Sequence, residues 1–233
     1  GLWQSTSTSY VRSFYKNRCD QDGGADMVVG DNSYSSFQGA VLELVKDGNQ
    51  WRARVETPNG SQWGQSSARS VTLNGPWIYV GVYMGSYNDN VNEHTNTFTG
   101  SDLTVYQGGV QTVITGSEEK PDSLVSTAHI GAPSRTGTIS FTTDTTEFSM
   151  TGMGQVRTEA NVDSSAFFAY TRVPLDLTKL SLKVASFWRS NGSNNAGIMI
   201  RDSLDACSGF IQVGLWQSTS TSYVRSFYKN RCD

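Results

Sequence analysis

Gly1-Leu2-Trp3-Gln4-Ser5-Thr6-Ser7-Thr8-Ser9-Tyr10-Val11-Arg12-Ser13-Phe14-Tyr15-Lys16-Asn17-Arg18-Cys19-Asp20 returns without one change as residues 214–233, an offset of 213 residues. Diverged repeats differ at many positions, so a perfect copy has few explanations. The chain is either a window slightly longer than one period of a near-identical tandem array, or a permuted form of one unit. An internal repeat decides how the rest of the chain is divided.

Inside the second copy, Leu215-Trp216-Gln217 and residues 223–230 read as two strands around the Ser/Thr-rich loop 218–221. Four residues is a common hairpin loop. In that register Gln217 faces Ser222, Phe210 faces Lys229 and Cys207 faces Cys232, each pair of numbers summing to 439. Directly opposed residues on antiparallel strands hold their Cβ atoms at about disulfide distance. A Cys207–Cys232 bridge clamping the hairpin is therefore expected, against the alternative of two free buried thiols. Cys19 is the equivalent of Cys232, and its own partner would belong to a preceding unit. A Cys207–Cys19 bond would instead mark a closed permutant. In an isolated chain, residues 1–20 and 214–233 compete for one slot beside residues 210–213.

The formal charge of −3, with Lys and Arg scattered, argues against nucleic acid or an anionic membrane as partner. No run of 18 apolar residues exists, so no membrane insertion is expected. A disulfide implies an oxidising compartment. Asn59-Gly60-Ser61 and Asn191-Gly192-Ser193 match the N-glycosylation acceptor, making Asn59 and Asn191 candidate sites. The expectation is an extracellular or cell-surface protein whose targeting signal lies outside this window.

One period of 213 residues suits one large β domain plus a connector. Residues 21–26 read as an acidic turn-rich loop, followed by a short strand at Met27-Val28-Val29 and a second loop over 30–36. Asp20, Asp22, Asp26 and Asp31 are candidate calcium ligands. Their spacing fails the EF-hand pattern, with Gly24 and Ala25 at the fifth and sixth positions and Asp31 at the twelfth, where Glu is expected. A solvated loop is the preferred account, and no cofactor is expected beyond that calcium alternative.

Residues 41–45 and 50–56 form a hairpin by alternation and by the turn Lys46-Asp47-Gly48-Asn49. Residues 68–73 and 77–84 read as strands, the second central and buried on both faces. Residues 94–106 hold one or two more. Residues 107–136 differ in texture, interrupted by Glu118-Glu119-Lys120-Pro121 and Ala132-Pro133-Ser134, with only 110–114 strand-like. This is read as a connector docked on a surface, as an added strand on a neighbour in one form of the reading. Strands resume at 138–141, 147–150, 166–172 and 180–188, ahead of the stretch 196–206. With no long 3.6-residue period, many short strands indicate a two-sheet antiparallel sandwich.

Ala196-Gly197-Ile198-Met199-Ile200-Arg201-Asp202-Ser203-Leu204-Asp205-Ala206 resembles the Ala-Gly-Val-Met-Ile-Arg-Glu-Ser-Leu-Asp-Ala signature of the concanavalin A-like/laminin G-like jelly-roll modules of secreted bacterial proteins. The strand Phe167-Phe168-Ala169-Tyr170 looks like that family's early strand. Residues 51–63, 77–84 and 101–106 look like its closing strands. The resemblance implies a jelly roll read in circularly permuted order, a tandem array cut mid-domain. Residues 1–106 would then be the C-terminal part of one bead, 107–136 the inter-bead connector and 137–233 the N-terminal part of the next. It implies glycan binding, adhesion or accessory roles, and no ligand residues are carried over from it.

Catalytic patterns are absent from the sequence. The chain has two histidines, His94 and His129, and no paired metal-ligand spacing, phosphate loop, Gly-x-Ser-x-Gly or Cys-x-x-Cys. Glycosidases on this sandwich carry a carboxylate pair on a strand, whereas Glu43, Glu56 and Glu147 are isolated. The reading is a non-enzyme. Trp51, Trp63, Trp77, Trp188 and Trp216 could stack on sugar rings, Trp51 and Trp63 being the named candidates, although most sandwich tryptophans are core.

The leading expectation is a structural repeat unit of an extracellular filament or giant surface protein, with identical copies of itself as partners. The runner-up is a lectin-like glycan-binding or adhesion module with carbohydrate as partner. Because one bead has room for one copy of the duplicated stretch, an elongated chain of two incomplete lobes is expected over a closed sandwich.

Overall fold

The computed structural model describes residues 14–15, 23–31, 38–56, 58, 62–71, 73–86, 96–116, 126–131, 136–142, 146–152, 166–188, 194–206, 208–217 and 222–229. These residues form sixteen strands and no helix. They are β1 (Phe14–Tyr15), β2 (Gly23–Asp31), β3 (Val41–Asp47), β4 (Gln50–Glu56), β5 (Gln62–Gln65), β6 (Trp77–Ser86), β7 (Asn96–Gln107) and β8 (Val110–Val113). They continue with β9 (Ser126–Ile130), β10 (Thr138–Phe141), β11 (Phe148–Gly152), β12 (Ala166–Pro174), β13 (Leu177–Trp188), β14 (Asn194–Arg201), β15 (Phe210–Gln217) and β16 (Ser222–Lys229). Two antiparallel sheets result. The first runs β1-β2-β16-β15-β14-β6-β12-β9, the second β10-β11-β7-β13-β3-β4-β5, with β8 added beside β7.

Alternation along the strands fills the space between the sheets. In β4, Trp51, Ala53 and Val55 point inward while Arg52, Arg54 and Glu56 point out. They meet Leu42, Leu44, Phe98, Leu180 and Leu182 from their own sheet. From the other come Ile78, Val80, Val82, Met84, Ile198, Ile200, Val213 and Val224. Each large aliphatic side chain buried this way is worth about 1.5–3 kcal/mol, so this shared core is what holds the two layers together.

The closed form replaces the expected elongated one. Residues of β14 pair with β6 along eight positions, from Asn194↔Ser86 to Arg201↔Tyr79, within one chain. β13 likewise joins β7 and β3. The physical reason is that either half alone would present an unpaired edge and a large apolar face. The chain removes both by closing on itself.

The described strands of 107–136 dock on this same chain. Gly108 and Gly109 both adopt positive φ, +53° and +81°, the backbone a tight two-residue hairpin needs. That turn folds β8 back onto β7, and β9 adds to β12 at the sheet edge. Residues 68–73 are not a strand; Arg69 makes an isolated bridge to Trp51. Residues 23–31 are one continuous strand rather than two loops around a three-residue strand.

β7 is one strand with its phase broken. Asp102 has φ +55°, and the β13 partner numbers shift between Ser181 and Lys183. Asp102 and Leu103 thus face one residue of β13, a bulge that moves the inward set from Asn96 and Phe98 to Leu103 and Val105. Thr146 Oγ1 donates to Asp102 Oδ1 at 2.7 Å, and Ser101 Oγ to Oδ2 at 3.1 Å.

On the outer face of the second sheet, the Lys179 ammonium lies 2.8 Å from Glu43 Oε1 and 4.2 Å from the centre of the Tyr106 ring. Burial works to lower the Lys179 pKa. The hydrogen bond and charge of Glu43, joined by Tyr106, outweigh it and hold the amine above its ordinary range.

Candidate functional site

The middle strands of the first sheet, β12, β6, β14 and β15, bury apolar side chains on the outer face as well as on the core face. Residues directly opposite across strands share a face. Phe168, Tyr83, Gly197 and Gly214 therefore form one outward row across β12, β6, β14 and β15. Tyr170, Gly81, Met199 and Gln212 form the next row. A second cluster, separate from the main core, gathers Tyr83, Ile130, Ala166, Phe168, Met199 and Phe210, with Tyr79, Tyr170 and Leu204 packed against it.

One end of this face is sealed and polar. An added Cβ on Gly214 would collide with the Tyr83 hydroxyl, and one on Gly197 with the β15 backbone. The two glycines thus leave the space across which the Tyr83 ring reaches to β15. On the same face, Asn195 lies two residues before Gly197 on β14 and Gln212 two residues before Gly214 on β15, both buried. The Tyr83 hydroxyl and both polar atoms of each amide have no hydrogen-bond partner among the described residues. Buried polar atoms are nearly always paired, so five such atoms on three adjacent strands define an unusual site. Burial pushes the Tyr83 phenol pKa far up.

The other end is open and aromatic. Trp77, at the start of β6, is 46 % exposed. The exposed Arg172 guanidinium lies 5.8 Å from its ring centre and 5.7 Å from that of Tyr79. Tyr79 meets Tyr170 edge-on at 5.3 Å, and Tyr170 stacks on Phe168 at 5.5 Å. The strip carries one cation, flat rings and one phenol after another. Such a surface can stack on apolar faces of sugars and hydrogen-bond their hydroxyls.

The Ala196–Ala206 stretch proves to be the body of β14 and the start of the turn that joins it to β15. Arg201 is fully buried and donates from Nε to Ser203 O at 3.0 Å and from Nη2 to Asp205 O at 2.6 Å. Its guanidinium sits 5.3 Å from the centre of the Phe210 ring. Asp202 Oδ1 accepts from the Asn74 and Gly75 amides at 2.7 and 3.1 Å. Ser203 N donates to Ser208 Oγ at 2.7 Å. Arg201 and Ser203 close their own loop, and Asp202 ties it to the turn before β6.

The candidates read from sequence fare differently. Trp51 is 3 % exposed and packed in the core, so it is not a stacking residue: it faces inward on β4 with Ala53 and Val55. Trp63 stands on β5, with its side chain outside the described residues. Asp26 and Asp31 lie within β2 opposite Ser226 and Ser222. Five residues of extended chain, about 16 Å, separate them. Asp20, Asp22, Cys19, Cys207, Cys232, Asn59 and Asn191 lie outside the described residues, as does the Cys207–Cys232 pairing. Among the described residues no three His, Cys, Asp or Glu side chains gather as a metal site, and no helix is long and apolar enough to cross a membrane. Sequence reasoning missed Tyr83, Asn195 and Gln212; the small-residue positions Gly197 and Gly214 facing a tyrosine were the available signal.

Compared with family models and with curated proteins, the chain matches none.

Proposed function

We infer that the chain is a non-catalytic structural bead, a jelly-roll unit of an extracellular filament or giant surface protein that meets identical copies of itself. The reading treats the strand order as a permuted form of the concanavalin A-like/laminin G-like module. One observation carries it. Phe14 and Tyr15 of the first copy pair with Ala25 and Gly24, and Phe227 and Tyr228 of the second copy pair with the same Ala25 and Gly24. The two registers differ by 213, the length of the repeat. The strand β2 therefore accepts either copy in one register, as a unit followed by its own equal requires. Calcium has no part in this reading. The experiment is electron microscopy of a protein carrying three consecutive periods: a regular rise per period supports the bead, and three unrelated orientations refute it.

The open aromatic strip favours a second reading, a lectin-like adhesion module binding neutral sugars at Trp77, Tyr79 and Arg172. A glycan array of the chain tests it, with Trp77→Ala expected to abolish any captured sugar. Binding that survives Trp77→Ala removes this surface from consideration.

A further inference from the structure

The slot between β15 and β2 is the place where the duplication meets the fold. β16 fills it with eight pairs to β15, from Phe210↔Lys229 to Gln217↔Ser222. On its other side it pairs with β2 from Ser222↔Asp31 to Lys229↔Gly23. Val224 and Ser226 point into the core from this strand. Residues 9–16 read Ser-Tyr-Val-Arg-Ser-Phe-Tyr-Lys, the same eight residues as 222–229. Among the described residues, this first copy contributes Phe14 and Tyr15 at the far edge of β2, in the hairpin register. Phe14 and Tyr15, part of a segment with the right sequence, thus pair in the right register one strand away from a slot already filled by their twin.

We propose that residues 9–16 of one copy fill, in a second copy, the place 222–229 holds between β15 and β2, so that chains link by exchanging a strand. The partner is a second copy of this chain, and the proposal rests on the bead reading above. Every contact the slot makes with 222–229 is open to 9–16, because the two sequences are identical. The donor is the first copy rather than the second for a geometric reason. Residues 222–229 are tethered to β15 by four residues, 218–221. Residues 9–16 are tethered to β2 by six, 17–22, which span up to about 20 Å when extended. Added-strand recognition of this kind draws its affinity from main-chain hydrogen bonds and its specificity from alternate side chains.

The test uses the full chain. Proline in a central strand removes a ladder hydrogen bond and is excluded there, so Val224→Pro disables 222–229 and Val11→Pro disables 9–16. Sedimentation at several concentrations is the measurement. V11P is expected as a folded monomer. V224P is expected to keep the β spectrum and to associate as concentration rises, while V11P/V224P does neither. A folded V224P monomer would mean that its own 9–16 fills the slot, overturning exchange between chains. So would association of the double variant equal to that of V224P. If V224P does not fold alone, a labelled peptide of residues 7–18 is added. Recovery of the β spectrum with retained peptide supports the exchange, and no recovery overturns it. Three-period proteins without regular rise, alongside an associating V224P, would retire the filament and leave the exchange standing.

Discussion

Tyr83→Phe removes a single oxygen from the sealed end of the first sheet. That hydroxyl is fully buried and has no partner among the described residues. Leaving a buried hydroxyl unpaired costs about 1–3 kcal/mol, and the phenylalanine ring keeps the packing on Phe168 and over Gly197. The variant is therefore expected to be more stable than the parent by about 1–3 kcal/mol, read as a higher urea midpoint at unchanged slope. A second readout comes from alkali. The folded phenol holds its proton because burial raises its pKa, whereas an unfolded tyrosine releases it near pH 10. The parent's stability is then fully present below about pH 10 and falls by about 1.4 kcal/mol per pH unit above it. Tyr83→Phe should lose that contribution to the alkaline slope. A destabilised variant, or an unchanged slope, would refute the reasoning and mean that the hydroxyl has a partner, such as a bound water.

Gly214→Ala should destabilise by about 1–3 kcal/mol, since the new methyl overpacks the site. Tyr83→Phe should recover part of that loss, and strict additivity in the double-mutant cycle would remove the predicted contact. Trp51→Ala is expected to cost about 3–5 kcal/mol as a core truncation, measured by urea unfolding; a cost under about 1 kcal/mol would return Trp51 to the surface. Lys179→Met should cost more than Glu43→Gln, because Glu43 is 4 % exposed and Lys179 29 %, so removing the lysine strands the more buried charge. The Lys179 pKa is raised on folding, so its contribution is whole below the unfolded value near 10.4 and is lost as pH rises through the folded value. Melting curves between pH 8 and 11 check the sign.

Much of the fold was legible where a local rule was sufficient. The 439 register of β15 and β16 follows from a four-residue loop, and the structure pairs Gln217 with Ser222 and Phe210 with Lys229. The hairpin of β3 and β4 follows from alternation and an Asp-Gly turn. Residues 77–84 read as central because they are apolar on both phases, and β6 lies between β14 and β12. Residues 94–106 left one strand or two open because the bulge at Asp102 shifts the apolar phase without ending the strand. Residues 126–130 hid as an edge strand, where burial alternates only weakly. The site was less visible. Asn195 and Gln212 are polar positions on strands and look like solvent-facing ones. Their burial depends on a second covered face, which no local pattern encodes. Trp77 was one of six tryptophans, and only the sheet tells that its face is outward.

The two partners of β2 also differ in how far the chain must travel to supply them. Phe14 is eleven residues from Ala25, while Phe227 is 202 residues away. Loop-closure entropy grows with the logarithm of that distance, so the distant pairing starts about 2.6 kcal/mol behind the local one. Contacts of such range are late events in folding. β2 therefore meets its near partner while most of the chain is still open, and its far partner last. Loop entropy thus orders the two pairings, with β16 seated beside a strand that already holds a copy of part of it.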